Sequence, residues 1–229
     1  MKLLHPSSLA ATIDAVNEAL FVGKQIPPAE RARTAAWIAG RQGKRGSYAN
    51  MFAPTPRDFA GGIRVFTGEA VRSNAATAHI LGEEASRALI LLGVGKAEVR
   101  TALSHATAGM LARLRESESA GMSSRGFYCC AMCSCALWRH LGVGGLSGAE
   151  ARLRGGVKIL RTHRSGEGRW RRFPFYYTLL SLTELDLLAA RRELRYAAPA
   201  CERALKTVRG EERIAARRRV LLERVLAAH

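Results

Sequence analysis

Three stretches of this chain are written to one plan, and that repetition constrains the fold more than any other feature. They are AAWIAGRQGKRGSYANMFAPT (35–55), GMLARLRESESAGMSSRGFYCCAMC (109–133) and GVKILRTHRSGEGRWRRFPFYYTLL (156–180). Each carries an apolar helix ending in basic or polar residues, then a glycine-containing turn, then an aromatic residue and a new segment. The aromatics are Tyr48, Phe127 with Tyr128, and Trp170 with Phe173. Glycine permits the positive φ that such a reversal needs. The aromatic then wedges between neighbouring hairpins and buries on the order of 200 Å².

The remaining pattern is helical almost throughout. Leu9, Ile13, Val16 and Leu20 form one apolar stripe after Pro6, with Ser7 and Ser8 as candidate caps. The Pro27–Pro28 pair opens a second helix. Further helices are expected over 74–92, 97–117, 127–141, 147–164, 174–190, 191–206 and 210–227, with Gly93, Gly142 and Gly166 as C-terminal caps. The sequence LGVG closes a helix twice, at 92–95 and 141–144. Residues 44–73 are rich in Gly and Pro and read as an irregular loop within a single all-α domain spanning 1–229.

These repeats resemble those of the terpenoid cyclase and protein prenyltransferase α/α toroids. There an outer helix ends in an Arg-Gln-like turn, followed by Gly-x-Trp or Gly-x-Tyr and an inner helix. The matching residues are Arg41, Gln42, Gly46 and Tyr48 in the first unit, and Arg164, Gly168 and Trp170 in the third. The second unit departs from the pattern, since Gly126 is followed directly by Phe127. The resemblance spans roughly half the chain. It implies an all-α fold of helical hairpin repeats forming a partial or shortened α/α toroid, whose open ends a second copy could cover. The catalytic signatures of that class do not come with it. The chain has no Asp-x-Asp-Asp, no Asp-Asp-x-x-Asp and no Asp-x-Cys.

The cysteines ask for a separate account. GFYCCAMCSCALWRH (126–140) holds four of the five in the chain. On a continuous helix Cys129 and Cys133 lie one turn apart, while His140 falls about 10 Å along the axis from Cys133. Two thiolates from one helix make a zinc site only with two further ligands, for which Cys201 and His79 are candidates. Free cysteine otherwise behaves as a small hydrophobe. The run of Cys, Ala and Ser is therefore read as tight packing on an inner helix, with Cys129, Cys130 and Cys133 reduced, mostly buried and without metal. His79 and Glu83 form an i, i+4 pair, read as partly exposed and hydrogen-bonded.

The candidate pocket is assigned to Tyr48, Phe52, Asp58 and Glu69 from the first unit and its loop. Phe127, Tyr128, Cys129 and Cys133 join from the second, and Phe175, Tyr176 and Tyr177 from the third. Arg169, Arg171 and Arg172, before the expected helix at 174, are candidate anion-binding residues because they oppose the helix macrodipole.

Net charge is +17, of which residues 1–150 carry +6 (17 basic, 11 acidic) and residues 151–229 carry +11 (19 basic, 8 acidic). The basic half would attract acidic proteins or nucleic acid. No apolar run reaches membrane-spanning length, and the few clustered cysteines fit a cytoplasmic setting better than a disulfide framework. The expected function is that of a non-catalytic binding or interaction protein with a concave apolar pocket for an apolar small molecule and no cofactor. The alternatives are a cyclase- or prenyltransferase-like enzyme acting on an isoprenoid, and a basic nucleic-acid-binding module.

Overall fold

Ser8 opens the first helix by accepting the Ala11 amide, and the Asp58 carboxylate, 50 residues on, accepts the Ser8 hydroxyl (2.6 Å) and the Leu9 amide (3.0 Å). An anion at a helix N-terminus satisfies orphan amides and complements the dipole. The computed structural model describes residues 2–121 and 124–227. Met122 and Ser123 of the second repeat unit, and the two ends of the expected domain, lie outside them.

Ten helices follow in order among the described residues. They are α1 (Leu9–Phe21), α2 (Pro28–Ala39), α3 (Pro56–Ala60), α4 (Asn74–Leu92), α5 (Ala97–Ser119), α6 (Ala131–Gly142), α7 (Ala149–Thr162), α8 (Phe175–Thr183), α9 (Leu188–Thr207) and α10 (Glu212–Ala227). A two-stranded antiparallel ribbon, β1 (Ile63–Arg64) and β2 (Ala70–Val71), sits in the stretch expected to be irregular, as does α3. The break between α8 and α9 comes at Glu184–Leu187, earlier than the pattern suggested. There Glu184 turns inward to accept two arginines.

Helices α4, α6 and α8 form the buried centre. Of the 19 residues of α4, 14 are buried, a burden only a central helix carries. The polar exchanges place the three in one sense. Cys135 meets Thr178 and Arg139 meets Glu184, while on α4 Glu84 meets Tyr177 and Arg87 meets Glu184. Parallel neighbours need a returning helix between them, and α5 and α7 supply it.

The three repeat turns share a local structure. Each closes with an isolated antiparallel bridge: Gln42 with Phe52, Ser124 with Phe127, and Arg164 with Trp170. Each also holds glycine at positive φ, as at Gly46, Gly126 and Gly168. At Gly126 (φ 87°) a Cβ would stand 1.8 Å from the Arg152 carbonyl oxygen, so no other residue fits.

That turn corrects the cysteine expectation. Helix α6 begins at Ala131 rather than at residue 127. Cys129 has φ 66°, and Cys130 is the extended N-cap whose sulfur accepts the Cys133 amide at 3.3 Å. Cys129 is exposed, Cys130 half-buried and Cys133 buried. The three thiols do not ride one helix; they wrap its first turn.

Candidate functional site

Two polar layers cross the α4–α6 interface, one residue apart on each helix. The first is built on Glu84 and Arg139, buried on α4 and α6. Arg139 donates Nε and Nη2 to the two oxygens of Glu184 (2.8 and 3.0 Å), and Nη1 to Glu84. Arg87 donates to Glu184 (2.7 Å) and to Asn17 Oδ1 (2.8 Å). Asn17 and the Tyr177 hydroxyl complete Glu84, at 3.1 and 2.6 Å. Burial opposes ionisation of Glu84, but the Arg139 and Arg87 charges outweigh it and hold the carboxyl below its usual range. Burial and the Arg139 charge together lower Arg87.

This network floors a cavity of about 650 Å³, lined by Arg87, Arg139 and Glu184 below and by residues of α1, α8, α9 and α10 around it. Leu20, Phe21, Leu180, Leu182, Leu185 and Leu194 make the walls apolar. The size and the few convergent polar groups match those of small-molecule sites. Of the four lining arginines, Arg191 is paired with Asp186 at 2.8 Å. Arg224 donates to the Phe21 carbonyl and lies 4.0 Å over the Phe21 ring, with no carboxylate partner among the described residues.

The second layer is His79, Glu83 and His140, all with fully buried side chains. Glu83 Oε2 lies 2.5 Å from His140 Nδ1, and Glu83 Oε1 lies 3.3 Å from His79 Nε2. Burial opposes the Glu83 charge, but the two imidazoles hold its carboxyl down at about 2. The His79 ring stacks on Tyr48 (4.4 Å) and meets Tyr128 edge-on (5.2 Å). Both tyrosine hydroxyls touch one another. Beyond His79 are the cysteines. One ligand atom each from His79, Cys129 and Cys133 lies within 4.8 Å of the others. Contacts with Cys130, Cys133 and His79, in that order, lower the Cys129 thiol. Burial works against a charged His79, and contacts with Cys129 and Glu83 override it and raise the ring. The expectation of a partly exposed His79–Glu83 pair is overturned: the pair is in the core because α6 and its preceding turn cover it.

The other residues singled out from the sequence are dispersed. Asp58 caps α1 and α3, and Glu69 accepts the Tyr177 amide at the start of α8 (2.9 Å), so both act as helix caps. Phe52 is fully buried core. Phe127 packs on His163 and Phe173. Phe175 and Tyr176 carry Arg169 and Arg218 over their rings, at 4.1 and 4.3 Å. Arg169, Arg171 and Arg172 are exposed and line none of this cavity. Only Tyr177 touches the cavity floor, through Glu84. Tyr48, Tyr128, Cys129 and Cys133 do assemble, around His79.

Arg87, Arg139 and Glu184 were not singled out from the sequence. Their signal is one or two charges set in an otherwise apolar run, as in ASRALILL, CALWRHLG and LLSLTELDLL. A charge buried on such a face must be paired. His79 to Arg87 spans eight residues, about 12 Å of helix, so cavity and cysteines occupy opposite ends of the central helices. No family model, curated protein or solved structure matches this chain.

Proposed function

We propose that the protein is a non-catalytic binding protein whose ligand is a small amphipathic anion, taken up in the cavity above Arg87 and Arg139. The observation that carries this reading is the pairing of an apolar wall with a charged floor that is already neutralised. Glu84 and Glu184 balance Arg87 and Arg139, and Asp186 balances Arg191. Among the described residues the one surplus cation at the rim is Arg224. A ligand with an apolar body and a single acidic group fits that charge count. A diphosphate would bring more negative charge than the rim meets, and this weighs against prenyl-transfer chemistry. The hairpins around α4, α6 and α8 are proposed as part of an α/α toroid, with the cavity on its concave side.

Calorimetric titration with decanoate and with decanol tests the reading. Decanoate is expected to bind at one saturable site, about tenfold more tightly than the alcohol, a difference of about 1.4 kcal/mol. Arg224→Ala should erase that preference, and Leu182→Trp should block both probes by filling the cavity. Absence of binding by either probe, or equal binding of the two, overturns the proposal.

A further inference from the structure

A buried polar atom with no partner is rare in folded proteins, and each one calls for an explanation. Five of the seven such side-chain atoms among the described residues belong to buried residues with charge or metal-binding capacity in two places. One is Arg87 Nε, at the edge of an otherwise satisfied network. The other four are both ring nitrogens of His79, Glu83 Oε1 and His140 Nε2. All four lie in the single layer that ends at the cysteines. An imidazole sealed in the core and flanked by thiols, with Nδ1 unpartnered and Nε2 only 3.3 Å from a carboxylate it does not align with, is poorly placed as packing and well placed as a ligand.

We propose that Cys129, Cys133 and His79 bind a soft divalent cation of the zinc class, with Cys130 completing a tetrahedral shell. Thiolate and imidazole donors together select zinc over the oxygen-seeking cations. Zinc–sulfur and zinc–nitrogen bonds of about 2.3 and 2.0 Å put the edges of such a tetrahedron at roughly 3.3–3.8 Å. His79, Cys129 and Cys133 are within 4.8 Å of one another, so sub-ångström shifts bring them to bonding distance. Cys130 is not yet part of that group; as the neighbour of Cys129 and the N-cap residue of α6 it is the thiol placed to turn in as the fourth ligand. Its sulfur accepts the Cys133 amide while capping α6, an arrangement that stabilises negative sulfur at a helix N-terminus. The Cys130-Ala-Met-Cys133 spacing therefore works as a turn at the mouth of a helix.

The second shell is also in place. A histidine bound to metal through one nitrogen usually presents the other to a carboxylate, which fixes tautomer and orientation. His79 Nε2 faces Glu83 Oε1, leaving Nδ1 for the metal, and His140 holds the far oxygen of Glu83. Tyr48 stacked on the ring fixes its plane. With all four positions taken by protein, the centre joins the second turn of α4 to the first turn of α6 and leaves no site for substrate. It stands apart from the Asp-x-Cys pattern of the prenyltransferases, and it does not depend on the cavity reading.

The same atoms offer one competing chemistry: a Cys129 thiolate activated by His79 as a nucleophile. Metal analysis of the purified full-length chain separates the two. One equivalent of zinc per chain is expected, and reconstitution of chelator-treated protein with Co²⁺ should give the intense visible and thiolate charge-transfer bands of a tetrahedral sulfur-rich site. His79→Phe and Cys133→Ala should each cut bound zinc at least tenfold, whereas Cys135→Ala, buried on the same helix outside the cluster, should retain it. The wild-type cobalt spectrum keeps the test valid if a variant fails to fold. Absence of zinc together with an absent cobalt spectrum overturns the proposal. Rapid iodoacetamide labelling of Cys129 that His79→Phe abolishes, in protein that takes up neither metal, assigns the site to the nucleophile instead.

Discussion

The two polar layers between α4 and α6 are built from the same kinds of residue and differ in one respect. Around Glu84 and Arg139 nearly every donor meets an acceptor, with Asn17, Tyr177 and Glu184 recruited from other helices to complete the set. Around Glu83 and His140, one residue along each helix, donors and acceptors are left over. A satisfied buried network is a finished structural element. An unsatisfied one of equal burial is half of something, and the thiols beside it indicate the other half.

The largest test of this contrast is Arg139→Ala. It leaves buried Glu84 without its ion-pair partner and half-buried Glu184 with Arg87 alone, and a broken buried ion pair costs about 3–5 kcal/mol. Urea denaturation should show a loss in that range. A loss below about 1 kcal/mol would mean the layer is not the finished element described.

His79→Phe probes the other layer with a smaller effect of opposite sign. In chelator-treated protein the change removes an unpartnered Nδ1 and a long Nε2 contact while keeping the stacking on Tyr48 and leaving Glu83 its shorter contact to His140. It should leave stability unchanged or raise it by about 1 kcal/mol. In zinc-loaded protein the same substitution should destabilise. A destabilised apo-variant would show that the imidazole is already satisfied without metal.

Acid sensitivity gives the smallest effect near neutrality. The folded-state carboxyl of Glu84 is lowered by Arg139 and Arg87. Its contribution is therefore fully present above the ordinary carboxylate range and is lost as pH falls through that range toward the depressed folded value. Glu84→Gln should flatten this part of the stability–pH curve. An unchanged slope in the variant would assign the acid response to other carboxylates.

The helical architecture was legible because it rests on periodicity and punctuation, which are local. Helix α4 runs over 74–92 as its apolar pattern predicts, and the three Gly–aromatic turns each close with an isolated antiparallel bridge, though over different loop lengths. What escaped was decided by residues far apart in the chain. Nothing local distinguishes Asp58 as a cap for α1 from Asp58 at a pocket rim, because the amides it serves are at Leu9 and Ala10. The start of α6 was misplaced because Cys129 adopts a left-handed φ that its side chain does not advertise. That single residue moved the thiols from the side of a helix to its mouth, and with them His79 came within reach.

Glu69 waits 108 residues for the Tyr177 amide it caps. At ribosomal speeds of about 5–20 residues per second, that is a delay of roughly 5–20 seconds. Helix α4 is complete at residue 92 and α6 only at residue 142, so for the stretch between them α4 has α1, α2 and α3 beside it but not the helix that shares its buried polar layers. The nascent chain therefore presents the α6-facing side of α4 before its partner is made. Ribosome-bound chains ending between α4 and α6 are expected to expose that face, and longer chains that include α6 to cover it.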